Sequence, residues 1–320
     1  MTELEKKVYD LGVLPVIKIS NPDDAIPLAK ALIDGGLPAA EITFRTSCAA
    51  EAIKRITETF PEMLVGAGTV LNAEQVDAAI EAGAAFIVSP GFNPKTVAYC
   101  KSKNCPIIPG CSSPSDIEQA IELGLETVKF FPAEAAGGLK MLKAMSAPYG
   151  AMRFMPTGGV DASNLLSYLQ FDKILCCGGS FMVKDDLIKS GDWATITELT
   201  KGAVRTMLGF EFAHIGINTE SKEEAERTAK LLETMFGMPM RETSKSYFAG
   251  PSFELMNQRG PGKNGHIGIK TNFVDRAIAY FQRMGFAFDE SSITYADNGK
   301  PKFAYFKDEI AGFAVHILAK

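Results

Sequence analysis

Short apolar runs recur through the first two-thirds of this 320-residue chain, roughly every twenty residues, the spacing of strands that alternate with helices. They read LPVIKI, AAEITF, LVGAGT, FIVSP, PIIPG, TVKFF, RFMPTGG and ILCCGGS. Each is short and rich in β-branched or aromatic residues, as a buried strand is. Between them lie stretches such as DDAIPLAKALIDGG, NAEQVDAAIEAGA and SPSDIEQAIELGL. These carry apolar residues at helical spacing, open on Asn, Ser or Asp, and close on Gly. Strand-then-helix units of this kind build parallel sheets. Eight of them predict a (β/α)8 TIM barrel, compact for a fold that typically takes ~250 residues. A doubly wound sheet competes, but the first βα turn carries no GxGxxG.

The rhythm changes between Arg205 and Phe212. A strand-like FAHIGINTES leads into one helix, SKEEAERTAKLLETMFG, and then into SKSYFAG and SFELMNQ. A second pass follows: GHIGIKT, the helix FVDRAIAYFQRMGF, KFAYFKD and FAVHILAK. HIGIN and HIGIK are near copies, each followed by a helix, so the segment reads as a duplicated βαβββ module. The expected organisation is a barrel over residues 1–208 and an α+β domain of two βαβββ modules over 212–320.

Hydrophobic residues make up 46% of the chain and charged ones 22%, the balance of a globular protein with an ample core. A net charge of -5 leaves no basic excess to neutralise phosphates, so nucleic acid is not an expected partner. No run is long enough for a transmembrane helix, and MTELEKKVYD is too polar for a signal peptide, so no membrane partner is expected. The six cysteines form no CxxC pair and no disulfide framework, which fits a reducing cytoplasm.

One strand carries an anomaly. In ETVKFFPAEAAGG a lysine, Lys129, interrupts an apolar run. Lysine is almost never fully buried without a partner, and the plain reading is a side chain that snorkels out of a strand end. Barrel enzymes, however, place their chemistry at the C-terminal ends of the strands. Glu41, Thr43 and Arg45 share one face of EITFRT by alternation, and Lys129 shares a face with Phe131. If both faces point inward, a carboxylate, a guanidinium and an amine meet inside the barrel. Charges there are expensive for mere structure, and such clusters mark sites. Downstream, PTGGV and CGGSF close the seventh and eighth strands, where barrels often bind phosphate through backbone N–H groups. Ser180 adds a hydroxyl donor there.

EITFRT, GAGTVL, VSPGF, PIIPG, KFFPAEAAGG, PTGGV and CGGSF, in this order, resemble the 2-keto-3-deoxy-6-phosphogluconate (KDPG) / 4-hydroxy-2-oxoglutarate (KHG) aldolase family. The resemblance covers nearly all of the first ~205 residues, about one domain's length. It implies a class I aldolase without a cofactor, usually a homotrimer, that cleaves a 2-keto-4-hydroxy acid to pyruvate and an aldehyde. It makes Lys129 the Schiff-base lysine and Glu41 the general acid/base. Arg45, Thr69, Pro90, Phe131 and Thr157 become substrate-site residues, and Gly158, Gly159, Gly179 and Ser180 the phosphate cradle. The chemistry is consistent, because a protonated lysine cannot attack a ketone. Desolvation and the nearby guanidinium of Arg45 are both expected to favour the free amine. A Schiff-base decarboxylase of oxaloacetate-like acids and a sugar-acid binding or sensor protein are the alternatives.

The duplicated module resembles the vicinal oxygen chelate superfamily, which includes glyoxalase I and extradiol dioxygenases. That resemblance implies metal ligands on the first and last strands of each module. Those positions hold His214, Glu254, His266 and His316, which include all three histidines of the chain. A strand histidine is more often a satisfied core residue. Two imidazoles and a carboxylate would suit Zn, Ni, Mn or Fe(II). His316 departs from the pattern, which usually has Glu at that position.

Overall fold

Ser113 shows how local sequence makes the helices of the first part of the chain. Its hydroxyl accepts the Asp116 N–H at 3.3 Å, while the Asp116 carboxylate accepts the Ser113 N–H at 3.0 Å. Pro114 occupies the first turn, where its missing N–H costs nothing. Such a capping box contributes about 1 kcal/mol to the helix Pro114–Glu122, which buries Ile117 and Ala120. Thr2 and Glu5 cap Glu3–Leu11 in the same way. That N-terminal helix was not among the elements expected from the sequence.

The computed structural model describes residues 1–320, which divide into two compact units, Met1–Met207 and Leu208–Lys320. The strands of the first are β1 (Val13–Ile17), β2 (Ala39–Thr43), β3 (Leu64–Gly68), β4 (Phe86–Val88) and β5 (Ile107–Ile108). They continue as β6 (Gly110–Cys111), β7 (Thr127–Phe130), β8 (Arg153–Pro156) and β9 (Cys177–Gly179). One parallel sheet has the order β5-β4-β3-β2-β1-β9, and a second the order β6-β7-β8. Isolated parallel bridges, Phe154 to Ile174 and Thr157 to Gly178, link β8 to the β9 segment. The strands therefore curl in a TIM-like arrangement. The expected strand PIIPG is split at Pro109, which has no N–H for the ladder; its carbonyl accepts the Lys129 N–H at 2.8 Å.

The core of this unit is aliphatic. Ile17, Leu28, Leu32 and Ile42 are fully buried, each contributing about 1.5–3 kcal/mol by leaving water. Small residues in β3 make space for larger neighbours: Gly66 lies under the Phe86 ring and Gly68 under the Glu41 side chain.

The second unit contains β10 (Glu211–Asn218), β11 (Met240–Glu242), β12 (Ser246–Ala249) and β13 (Phe253–Met256). It continues with β14 (Gly265–Thr271), β15 (Thr294–Tyr295), β16 (Pro301–Tyr305) and β17 (Phe313–Ala319). Helices Lys222–Phe236 and Val274–Arg283 follow β10 and β14, so a strand, a helix and three strands occur twice. One sheet has the order β11-β12-β13-β10-β14-β17-β16-β15, with β10 and β14 antiparallel at its centre. β11 and β15 are too short, at three and two residues, to show a period of two in sequence. Ala225 and Ala229 of the first helix pack against Tyr247, Leu255 and Ile217. By alternation, His214 and Gly216 face away from that helix. No helix of the chain is long and apolar enough to cross a membrane.

Candidate active site

Glu41 on β2 and Lys129 on β7 are 88 residues apart and their strands are not neighbours, yet Lys129 Nζ lies 3.4 Å from Glu41 Oε1. The two side chains meet across the interior, where Glu41 is 0% and Lys129 4% exposed. Removing both charges from water costs several kcal/mol per ion, which one long contact repays only in part. The pair is therefore a poor device for stability. Glu41 Oε2 is also buried and accepts no hydrogen bond from the protein. A native fold rarely leaves a buried carboxylate oxygen without a partner, and such an atom is free to handle a proton.

The other residues singled out in the first unit lie at the same strand ends. Phe131 follows β7, with its ring centroid 5.2 Å from Lys129 Nζ. Thr69 has φ 56°, a left-handed conformation uncommon for a non-glycine residue. Its hydroxyl accepts Arg45 Nε at 3.3 Å. Arg45 is exposed rather than packed beside the amine, because it follows β2 in a turn; the group beside Lys129 is Glu41. Pro90 is half-buried, and its carbonyl lies where a Cβ on Gly110 would stand. Thr157 is buried, with its hydroxyl over Gly178.

A cavity of about 810 Å³ opens over these ends, lined by Arg45, Phe131 and Thr157 and by the glycine turns. Gly158 and Gly159 have φ 94° and 83°, which a side chain would strain. Gly179 is buried and Ser180 exposed, both at the cavity wall. Lys18 and Lys184, not singled out in the sequence, also line it, and Lys18 Nζ lies 3.5 Å from Asp185. Lys18 ends an apolar run just as Lys129 interrupts one, which was the available signal. With Arg45 these lysines give the cavity a positive field suited to an anionic substrate. Glu134, also not foreseen, accepts a hydrogen bond from the buried Tyr168 hydroxyl, and its N–H donates to the Gly158 carbonyl at 3.0 Å. These contacts brace the PTGGV turn.

The second unit brings its four candidate ligands together. Antiparallel pairing of β10 and β14 sets His214 opposite Gly268 and His266 opposite Gly216. The glycines leave room for the rings: a Cβ on Gly216 would stand 2.0 Å from His266 Cε1. Parallel neighbours then place Glu254 beside Gly216 and His316 beside Gly268. His214 Nε2 lies 3.2 Å from the Nε2 atoms of both His266 and His316. Glu254 Oε2 is 3.2 Å from His266 Nε2 and 3.4 Å from His214 Nε2. Ser246 donates to Glu254 Oε1 at 2.6 Å and fixes that carboxylate. Burial pushes His316 down to about 3 and also lowers His214. For Glu254 burial acts upward, but the hydrogen bonds from His266 and Ser246 and the nearby imidazoles outweigh it and hold the carboxyl low. Three imidazole nitrogens within 4.8 Å of one another, with the Glu254 carboxylate beside two of them, suit the donor set of a first-row divalent cation.

A family model described as KDPG and KHG aldolase matches residues 4–199. A relative from Treponema pallidum, 2-dehydro-3-deoxy-phosphogluconate aldolase, is 50% identical over 189 residues, 59% of this chain and 90% of its own. The KHG/KDPG aldolase of Escherichia coli K12 is 44% identical over 60% of this chain and 90% of its own. Among solved structures, KDPG aldolase from Legionella pneumophila, with pyruvate captured as a covalent carbinolamine, superposes with TM-score 0.60. It is 40% identical over 62% of this chain and 97% of its own. The Zymomonas mobilis ZM4 enzyme with 3-phosphoglycerate gives TM-score 0.58 at 43% identity, over 62% of this chain and 94% of its own. The chain belongs to the KDPG and KHG aldolase family, a family of lyases.

Proposed function

We propose that the first unit is a closed (β/α)8 barrel that cleaves 2-keto-3-deoxy-6-phosphogluconate and 4-hydroxy-2-oxoglutarate through a Schiff base on Lys129. The observation that carries this reading is the buried contact of Lys129 with Glu41, whose second oxygen has no partner. The Lys129 amine adds to the C2 ketone, and loss of water leaves an iminium. Glu41 accepts the proton of the C4 hydroxyl. The C3–C4 bond then breaks, its electrons enter the iminium to form an enamine, and the aldehyde leaves. Glu41 returns the proton to C3, and hydrolysis frees pyruvate. No cofactor is needed, because the iminium is the electron sink.

Arg45 and Thr69 bind the pyruvyl carboxylate, Arg45 by charge-assisted hydrogen bonds. Thr157, Pro90 and Phe131 shape the pocket around the carbon chain. Gly158, Gly159, Gly179 and Ser180 hold the phosphate of the larger substrate, supported by the positive φ of the first two and by Lys18 and Lys184 nearby. Pyruvate release from both substrates, undiminished by a chelator and lost in Lys129→Ala, tests this reading. Release of carbon dioxide without an aldehyde would contradict it. By family likeness we also propose a cytoplasmic homotrimer, which light scattering on the purified chain tests for its oligomeric part.

For the second unit we propose two βαβββ modules of the glyoxalase type that hold a divalent metal through His214, Glu254, His266 and His316. Convergence of the three imidazole nitrogens, with Glu254 beside two of them, supports the fit. When bound, such a cation supplies a Lewis-acidic centre. The chain's own part is to present neutral imidazole Nε2 atoms, and Ser246 orients the carboxylate.

A further inference from the structure

Glu254 and His316 occupy equivalent places in the two halves of the second unit. Each is on the last strand of its half, paired in parallel with the glycine two residues beyond the first-strand histidine. One place holds a carboxylate and the other an imidazole. An imidazole that gives its lone pair to a metal is neutral. A divalent cation held by His214, Glu254, His266 and His316 is thus balanced by a single negative charge and stays net positive.

The cleft around this point has a volume of about 890 Å³ and offers no second acid. Its other charged lining residues are Lys245 and Arg259. Arg259 is paired with Glu220 at 2.8 Å, whereas Lys245 has no ion pair. The Asn257 N–H donates to the Lys245 carbonyl at 2.9 Å, which fixes these two residues side by side. Asn257 lines the cleft, and its Oδ1 is buried and receives no donor from the protein. A buried acceptor without a donor is costly, so a ligand hydroxyl that reaches it is favoured. Met256, Phe303 and Leu318 form apolar walls that suit a carbon skeleton better than an inorganic ion and strengthen the attraction between charges inside.

We infer that this cleft binds a small hydroxylated carboxylate, its carboxylate drawn to the cation and Lys245 and a hydroxyl donating to Asn257 Oδ1. This is the chemical class on which the first unit acts, so the two units of the chain serve one group of sugar-acid metabolites. The inference rests on the metal reading above.

The test uses the full chain loaded with Co(II), whose visible spectrum reports the metal's surroundings alone. The probes are gluconate, its uncharged counterpart sorbitol, propionate, which has no hydroxyl, and inorganic phosphate. Gluconate is expected to change the spectrum with a Kd at least about tenfold below the other three, a difference of roughly 1.4 kcal/mol. His316→Glu keeps a metal ligand but cancels the excess charge, and should weaken gluconate by about tenfold or more with cobalt still bound. Asn257→Leu should weaken gluconate by about the same factor and leave propionate unchanged. Bound cobalt with gluconate no better than sorbitol, or with phosphate tightest, overturns the inference and leaves the metal reading standing. Unaltered gluconate affinity in both variants also overturns it. A chain that takes up no Co(II) overturns the metal reading, and the inference falls with it.

Discussion

Gly68→Ala disturbs the proposed chemistry without touching a reacting group. Gly68 ends β3 in an ordinary extended conformation, so alanine meets no backbone penalty there. Its Cβ, however, would stand 2.2 Å from Glu41 Oε1, 2.6 Å from Cγ and 2.8 Å from Cδ. Ordinary contact is about 3.5 Å, so the carboxylate must retreat by about 1 Å. Glu41 is fully buried, so its carboxylate cannot retreat into solvent. Overpacking of this kind costs about 1–3 kcal/mol, and at about 2–4 °C per kcal/mol a unit of this size loses roughly 2–12 °C in Tm. Misplacing a catalytic group by about 1 Å costs on the order of a hundredfold in rate. Pyruvate release measured with a coupled dehydrogenase should show that fall in kcat while the chain stays folded at 25 °C. A folded Gly68→Ala protein within threefold of the parent kcat would show that the position of Glu41 does not govern turnover.

Glu41→Gln should still form the imine with pyruvate but cleave about 10²–10⁴ times more slowly, which single-turnover kinetics separate. Ser180→Asp sets a negative charge against the phosphate and should raise KM for the phosphorylated substrate far more than for 4-hydroxy-2-oxoglutarate; equal effects would remove Ser180 from the cradle. Saturating zinc should raise the Tm of the second unit by roughly 10 °C, as a ligand at a hundred times its Kd adds about 2.7 kcal/mol. Gly216→Ala should abolish that rise by driving the His266 ring aside, and a chelator should reverse it.

Much of this architecture was legible because it repeats. The strand-then-helix rhythm and the doubled HIGI motif each state a pattern more than once, and repetition survives local noise. What a strand meets across the interior was legible only on the condition that both faces point inward. Glu41 and Lys129 are brought together by curvature, which alternation along either strand does not encode. Arg45 was expected on the same face as Glu41, but the strand ends at Thr43 and alternation ends with it. Lys18 was passed over because a single lysine at a strand end usually reaches water. The left-handed backbone of Thr69 has no composition signal, since threonine seldom adopts it. In the second unit the exchange of His for Gly between β10 and β14 was written in the sequence, but its meaning appears only once the antiparallel register sets each ring over the opposite glycine.

Mass mapping of the reduced imine tests the central claim most directly. The full chain is incubated with pyruvate and borohydride, digested, and its peptides are sequenced by mass spectrometry. The account predicts a reduced pyruvyl group on Lys129 alone, absent in Lys129→Ala. A label on Lys18 or any other lysine, or none on Lys129 under conditions that support turnover, would contradict it.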